Sequence, residues 1–201
     1  MSIFAAEDEK PKSELEYHNV YTLLIAIVLS AQSTDKGVNK ATKELFKIAD
    51  TADKMCDLGI DKLKNYIKTI GLYNNKAKNI ISLSEILRDE YKGEILPDRE
   101  VLESLPGVGR KTANVLLNVW FNQPTMAVDT HVFRVAHRLD FSQGKTPLAV
   151  EEDLLKILPE KYLLYANHWL VLFGRYVCKA QKPDCANCRI SKYCCSEDKR
   201  I

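Results

Sequence analysis

The residues of this chain best suited to chemistry lie in two neighbouring segments, LPGVGRKTA from Leu105 and VDTHVFR ending at Arg134. The first is a Gly-x-Gly turn between two apolar helical patterns, with Lys111 just inside the second. Pro106 and Gly107 end one helix, and Gly109 lets the backbone come close to whatever lies outside the turn. Arg110 to Thr112 open the next helix, whose first N–H groups lack intrahelical partners and whose dipole favours an anion. A phosphate of a nucleic-acid backbone fits that description. So does a tight corner between two packed helices. Lys111 places an amine beside such a phosphate, and Asp129 follows 18 residues later. An amine and a carboxylate near a sugar phosphate point to covalent chemistry on the sugar. The plainer readings are a solvated surface lysine and an aspartate that caps the helix after it.

A second group of reactive side chains sits near the C-terminus. Of six cysteines, five lie from Cys178 onward. Cys178, Cys185, Cys188 and Cys194 follow the pattern C-x6-C-x2-C-x5-C. Four thiolates this close can enclose a tetrahedral zinc ion or an iron–sulfur cubane, and spacing alone does not choose between them. Disulfides are disfavoured in a reducing compartment. Cys195 falls outside the pattern and is expected not to be a ligand. Cys56 lies on an amphipathic helix and is expected in the core.

The net charge is +2, from 29 Lys and Arg against 27 Asp and Glu. That balance permits nucleic-acid binding without arguing for it. The distribution says more. Arg110, Lys111, Arg134, Arg138 and Lys145 surround the glycine turn and the segment after it. The tail carries Lys179, Lys182, Arg189, Lys192, Lys199 and Arg200 against Asp184, Glu197 and Asp198. A local basic patch is compatible with the modest total. The apolar run YTLLIAIVLSA (Tyr21 to Ala31) is too short to span a bilayer. Its acidic upstream flank, with Glu7, Asp8, Glu9, Glu14 and Glu16, is wrong for a signal peptide. A cytoplasmic, nucleoid-associated protein is expected.

These segments must be positioned by helices, because apolar residues recur at a period near 3.6 almost throughout and no run reads as a strand. The spacing predicts a central buried helix over Tyr21–Gln32. An amphipathic helix then carries Val38, Ala41, Leu45 and Phe46, capped by Thr34 and Asp35. A short helix closes at Gly59, and another ends at Gly71. Further helices are predicted over Ala77–Tyr91, Val101–Leu105, Gly109–Phe121, Thr130–Leu139, Ala149–Leu158 and Tyr162–Val177. The fold class is all-α, with a boundary near Gln123–Pro124 where a proline breaks helical continuity.

LPGVGRKTA, VDTHVFR and the four-cysteine spacing together resemble the endonuclease III family of helix–hairpin–helix DNA glycosylases, from about Lys12 to the last cysteine. The resemblance implies two helical domains. One is a six-helix barrel with the hairpin, residues 13–123. The other joins residues 1–12 to 124–201 and carries a cluster loop, 178–194. It implies a groove with Lys111 on one wall and Asp129 on the other, and a fuller opening helix than the short acidic arm before Lys12. It implies that Lys111 attacks C1′ of a damaged nucleoside, that the base leaves, and that a Schiff base forms. β-Elimination then cuts the strand on the 3′ side. Asp129 would deprotonate the amine and stabilise positive charge on the sugar.

The same resemblance favours a 4Fe–4S cluster over zinc on Cys178, Cys185, Cys188 and Cys194. It places Gln32 in the gap left by the extruded nucleotide and Leu72 as a wedge beside it; the plainer readings are a polar helix end and a loop anchor. Gly107, Gly109 and Arg110 would meet phosphate, His131 phosphate or sugar, and Lys182 the DNA backbone, with Asp184 an acidic intrusion in that loop. Asn74 and Lys76 are candidates for further phosphate contacts. The partner would be double-stranded DNA bearing a damaged base or abasic site, bound by a monomer. The implied activity is bifunctional: release of oxidised or ring-saturated pyrimidines and lyase cleavage. Three rival readings stand beside it. An adenine-mismatch glycosylase normally lacks the lysine and carries a further C-terminal domain, whereas this chain ends at Ile201. Lys111 disfavours a monofunctional glycosylase. A non-catalytic hairpin module would bind DNA with a cluster as its staple.

Overall fold

Helices carry all regular structure among the described residues, 1–197 and 199, of the computed structural model. Asp198 and Arg200 of the charged tail fall outside them. The chain divides into two compact units: Ser13–Phe121, and Met1–Lys12 together with the chain from Asn122 onward.

The chain opens on α1 (Ser2–Glu7), and α2 to α8 build the unit Ser13–Phe121. In α2 (Val20–Ser30) every residue from Tyr21 to Leu29 is buried. A helix apolar on all sides must be surrounded, and α2 packs against α3 (Asp35–Ile48), α6 (Tyr73–Tyr91) and α8 (Arg110–Val119). A reciprocal Asn19–Thr22 capping box starts α2. Thr34 caps α3, whose stripe of Val38, Ala41, Leu45 and Phe46 is buried as its period predicts. Next come α4 (Ala52–Leu58) and α5 (Ile60–Ile67), separated by Gly59 at φ 75°. Both lie against α6, while α7 (Arg99–Ser104), capped by Asp98, packs on α8. Each buried Leu, Ile or Val here contributes about 1.5–3 kcal/mol of transfer free energy.

Several details differ from the expectations. Gln32 lies outside α2, whose C-cap is Ala31. The helix expected from Ala77 begins at Tyr73, launched from Leu72 in the left-handed region. Cys56 is only half-buried, its thiol pushed up chiefly by burial, and Met55 takes the core position.

The other unit contains α9 (Thr130–Arg138), α10 (Pro147–Ile157) and α11 (Glu160–Tyr176), with α9 packed on both of the others. A Cβ on Gly174 would lie 2.9 Å from the His131 Cβ, so the glycine sets how closely α11 crosses α9. Instead of a fuller opening helix, the N-terminal arm forms the six-residue α1. Met1, Ile3 and Ala5 pack against the core of this unit, and three further contacts fasten the arm. Phe4 is buried edge-on against Phe173, the Trp169 indole donates to the Asp8 carbonyl at 2.7 Å, and Arg189 pairs with Glu7. No helix among the described residues is long and apolar enough to cross a membrane.

Candidate active site

The turn between α7 and α8 is built around two glycines with different tasks. The Val108 N–H donates to the Leu105 carbonyl at 3.0 Å, and Gly107 has φ 81°, which makes Leu105–Val108 a type II turn with Pro106 in its favoured place. A Cβ on Gly107 would also sit 2.9 Å from the Asn79 amide nitrogen. The fold itself therefore requires Gly107. Gly109 is different: its φ is −100°, it is exposed, and a Cβ there would meet nothing within 4 Å. Packing does not explain it, and the open space outside it is available to a ligand. Gly109 is also the N-cap of α8 and supplies no capping side chain. The amides of Lys111 and Thr112 are left without intrahelical partners. Lys111 is exposed, and its amine makes no hydrogen bond or ion pair with the described residues. Arg110, before it, is half-buried.

Gln32 and Leu72 come together in the same unit. Both are exposed non-glycine residues in the left-handed region, at φ 56° and 58°. A Cβ on Gly71 would lie 3.7 Å from the Gln32 carbonyl oxygen, so the two loops adjoin. Leu72 is 62% exposed. Left-handed backbone costs an L residue about 1–2 kcal/mol, and nothing in the packing of these two side chains offsets it. Strain of this kind collects at functional positions. Asn74 is exposed, as a phosphate contact would be, but Lys76 is not available for that role. It is 7% exposed, and its ammonium donates to the carbonyls of Leu29 and Ala31 and to the Ser33 hydroxyl. The sequence does hold the signal: Lys76 falls at helical spacing from Ile80, Leu83 and Leu87, all buried.

In the other unit, Asp129 is the N-cap of α9. Its Oδ1 accepts from the amides of His131 and Val132, both at 2.8 Å, and Oδ2 has no hydrogen bond with the described residues. The capping reading is thus correct and leaves one oxygen uncommitted. His131 Nδ1 lies 3.2 Å from an Arg134 Nη. A guanidinium only donates, so Nδ1 is the acceptor and the ring proton of neutral His131 sits on Nε2. Arg134 also donates to the carbonyls of Gly174 and Cys178, and burial lowers its pKa. Arg138 donates to the Lys179 carbonyl at 2.7 Å and to the Cys178 sulfur at 3.4 Å. Two arginines that charge counting assigns to a basic patch instead anchor the cysteine loop.

All four patterned cysteines are free thiols and line one pocket, walled by Leu139, Phe173, Val177 and Ile190. The Cys188 thiol is pushed up by burial, and the three other thiols add to the effect. Crowded thiolates of this kind need a cation to offset their charge. Among the described residues no three His, Cys, Asp or Glu side chains are gathered so as to hold a metal ion. Four cysteine thiols on one pocket are a donor set that fits an iron–sulfur cluster, and a zinc ion as well. Cys195 is exposed, outside the pocket. Lys182, at φ 50°, and Lys179 are exposed on the loop.

Comparison with known proteins bears on all of these features. Residues 25–160 match the family model of the HhH-GPD superfamily base excision DNA repair proteins. The endonuclease III of Rickettsia felis is 57% identical over 192 residues, covering 96% of this chain and 90% of that protein. That of Escherichia coli K12 is 53% identical over 184 residues, covering 92% and 87%. A solved structure of a trapped endonuclease III–DNA covalent intermediate superposes with a TM-score of 0.90 at 45% identity, covering 96% of this chain and 91% of that one. The all-helical fold, the glycine hairpin and the extent of these matches lead to one conclusion: the chain belongs to the endonuclease III family of the HhH-GPD superfamily.

Proposed function

We propose that this chain is a bifunctional DNA glycosylase and AP lyase of base-excision repair. It releases oxidised or ring-saturated pyrimidines from duplex DNA and cuts the strand 3′ of the abasic site, acting as a monomer on nucleoid DNA in the cytoplasm. The observation that carries the reading is the uncommitted amine of Lys111, second residue of an uncapped helix that follows a glycine packing does not require.

The hairpin amides and Arg110 take a phosphate and bring the sugar to Lys111. The amine lone pair attacks C1′, the glycosidic bond breaks, and its electrons leave with the base, which takes up a proton. Ring opening gives a protonated Schiff base. Loss of a C2′ proton then expels the 3′ phosphate, and water releases the lysine. The uncommitted Oδ2 of Asp129 accepts the amine's proton and balances positive charge on the sugar. His131 offers its Nε2 proton to phosphate or sugar. Gln32 and Leu72 fill the space left by the extruded nucleotide. Cys178, Cys185, Cys188 and Cys194 would hold a 4Fe–4S cluster, which would order the loop that presents Lys182 to the backbone. The solved relative was trapped as a covalent intermediate with DNA, the species that this route requires.

Borohydride trapping on a duplex with one thymine glycol tests the reading. A covalent adduct forms with the unaltered chain and is lost in Lys111→Ala. Base release with no adduct would make the chain a monofunctional glycosylase with Lys111 a phosphate ligand. Binding with neither product, on this and other lesions, would leave a hairpin binding module.

A further inference from the structure

Gln32 and Leu72 belong to different segments, yet one residue reaches both. The Lys76 ammonium has three protons and three acceptors: the Leu29 carbonyl at 2.9 Å, the Ala31 carbonyl at 2.6 Å and the Ser33 hydroxyl at 3.2 Å. Ala31 and Ser33 flank Gln32 directly, so the ammonium grips the chain on either side of it. Lys76 itself stands one turn after Leu72, its N–H making the ordinary first-turn bond of α6 to the Leu72 carbonyl at 3.1 Å, so its side chain ties the start of α6 to the chain around Gln32.

Among the described residues no carboxylate meets the charge of Lys76. That charge is met by carbonyls at the C-terminal end of α2, where the helix dipole is negative. Burial lowers the pKa of this ammonium, the usual result of withdrawing a cation from water. A staple whose purpose was only to end α2 could be replaced by solvent or a glycine cap. This one spans 45 residues of sequence to fix the backbone around two strained, exposed side chains.

We propose that Lys76 is a positioning residue that holds Gln32 and Leu72 together as one rigid wedge, set before DNA arrives. The proposal rests on the glycosylase reading, because the wedge fills the space of a nucleotide drawn from the stack. A preset wedge lowers the cost of extrusion, and that cost is largest when the damaged base is well paired.

The test compares the full-length chain and its Lys76→Met variant on two duplexes carrying thymine glycol, one opposite adenine and one opposite an abasic position. Single-turnover base release from the paired duplex falls about tenfold or more, and release from the duplex lacking the opposite base falls less than about threefold. In a Gln32→Ala background, Lys76→Met costs clearly less than it does in the unaltered chain, since only Leu72 is left to position. Equal loss on both duplexes, or additive losses, would assign Lys76 to general stability and overturn the proposal. Ser33→Ala removes one acceptor outside the core. It gives a smaller loss with the same bias, which keeps the test decisive if Lys76→Met does not fold. Hydrogen exchange supplies a readout independent of activity: amides in segment 30–34, which the ammonium holds, exchange faster in either variant, and unchanged exchange overturns the proposal. No base release by the unaltered chain on either duplex would instead sink the glycosylase reading, leaving exchange to decide the role of Lys76.

Discussion

At Asp129 the cap and the chemistry use different oxygens, so they can be separated by substitution. Asn keeps an oxygen to accept the His131 and Val132 amides and loses the negative charge. Asp129→Asn should therefore melt within a degree or two of the parent, while single-turnover base release falls by roughly 100-fold or more, the usual worth of a positioned acid–base group. Asp129→Ala should lose activity similarly and about 1 kcal/mol of stability as well, because the cap goes too. Thermal melting beside single-turnover kinetics checks both. At this scale the sequence is informative where chemistry is local. An aspartate before a helical pattern is a cap from spacing alone, and a lysine after G-x-G lies at a helix N-terminus. Lys76 is misread because its acceptors lie more than forty residues away, and the burial of its neighbours is the clue. Arg134 and Arg138 are misread for the same reason: their carbonyl partners Cys178 and Lys179 belong to another segment.

The α7–α8 hairpin carries the sharpest contrast between structural and functional glycine. Gly107→Ala puts a Cβ at φ 81° and against Asn79, and should destabilise the protein by about 1–3 kcal/mol. Gly109→Ala meets no protein atom within 4 Å at an ordinary φ, so its melting temperature should stay close to the parent's. Its affinity for abasic-site DNA should drop, since the new methyl occupies space that a phosphate would use. Titration by fluorescence anisotropy beside melting curves reads both; a Gly109→Ala chain that binds normally would return this glycine to chance. Elements are legible in the sequence where end signals are strong. Thr34 and Asp129 cap the helices they precede, and Gly59 and Gly93 stop those they follow, whereas Asp98 caps an α7 that begins two residues ahead of its expected start. The start of α6 is less visible, because a leucine in the left-handed region leaves no mark in composition. Pro147 at the first position of α10 is such a mark, two residues ahead of the expected start. Nothing local announces α1, whose one buried residue finds its partner, Phe173, far along the chain.

Across the whole molecule, two cores are built separately, one around α2 and one around α9 and α11. The cysteine loop joins the second, where Cys178, Cys188 and Cys194 pack against it. Stripping metal with a chelator should therefore lower the melting temperature of that unit and leave the unit Ser13–Phe121 near its own, giving two calorimetric transitions where the loaded protein gives fewer. A single transition shifted as a whole would mean that the two units melt as one. The fastening of α1 also bears on how this protein is made. Phe4 emerges from the ribosome 169 residues ahead of Phe173, an interval on the order of ten seconds at ordinary rates of synthesis. Within it the segment Ser13–Phe121 is completed and has all the partners it needs to collapse, while Phe4 waits, uncovered, for α11. The N-terminal arm is thus translated early and docked late, and the acidic residues around it keep that waiting segment in water.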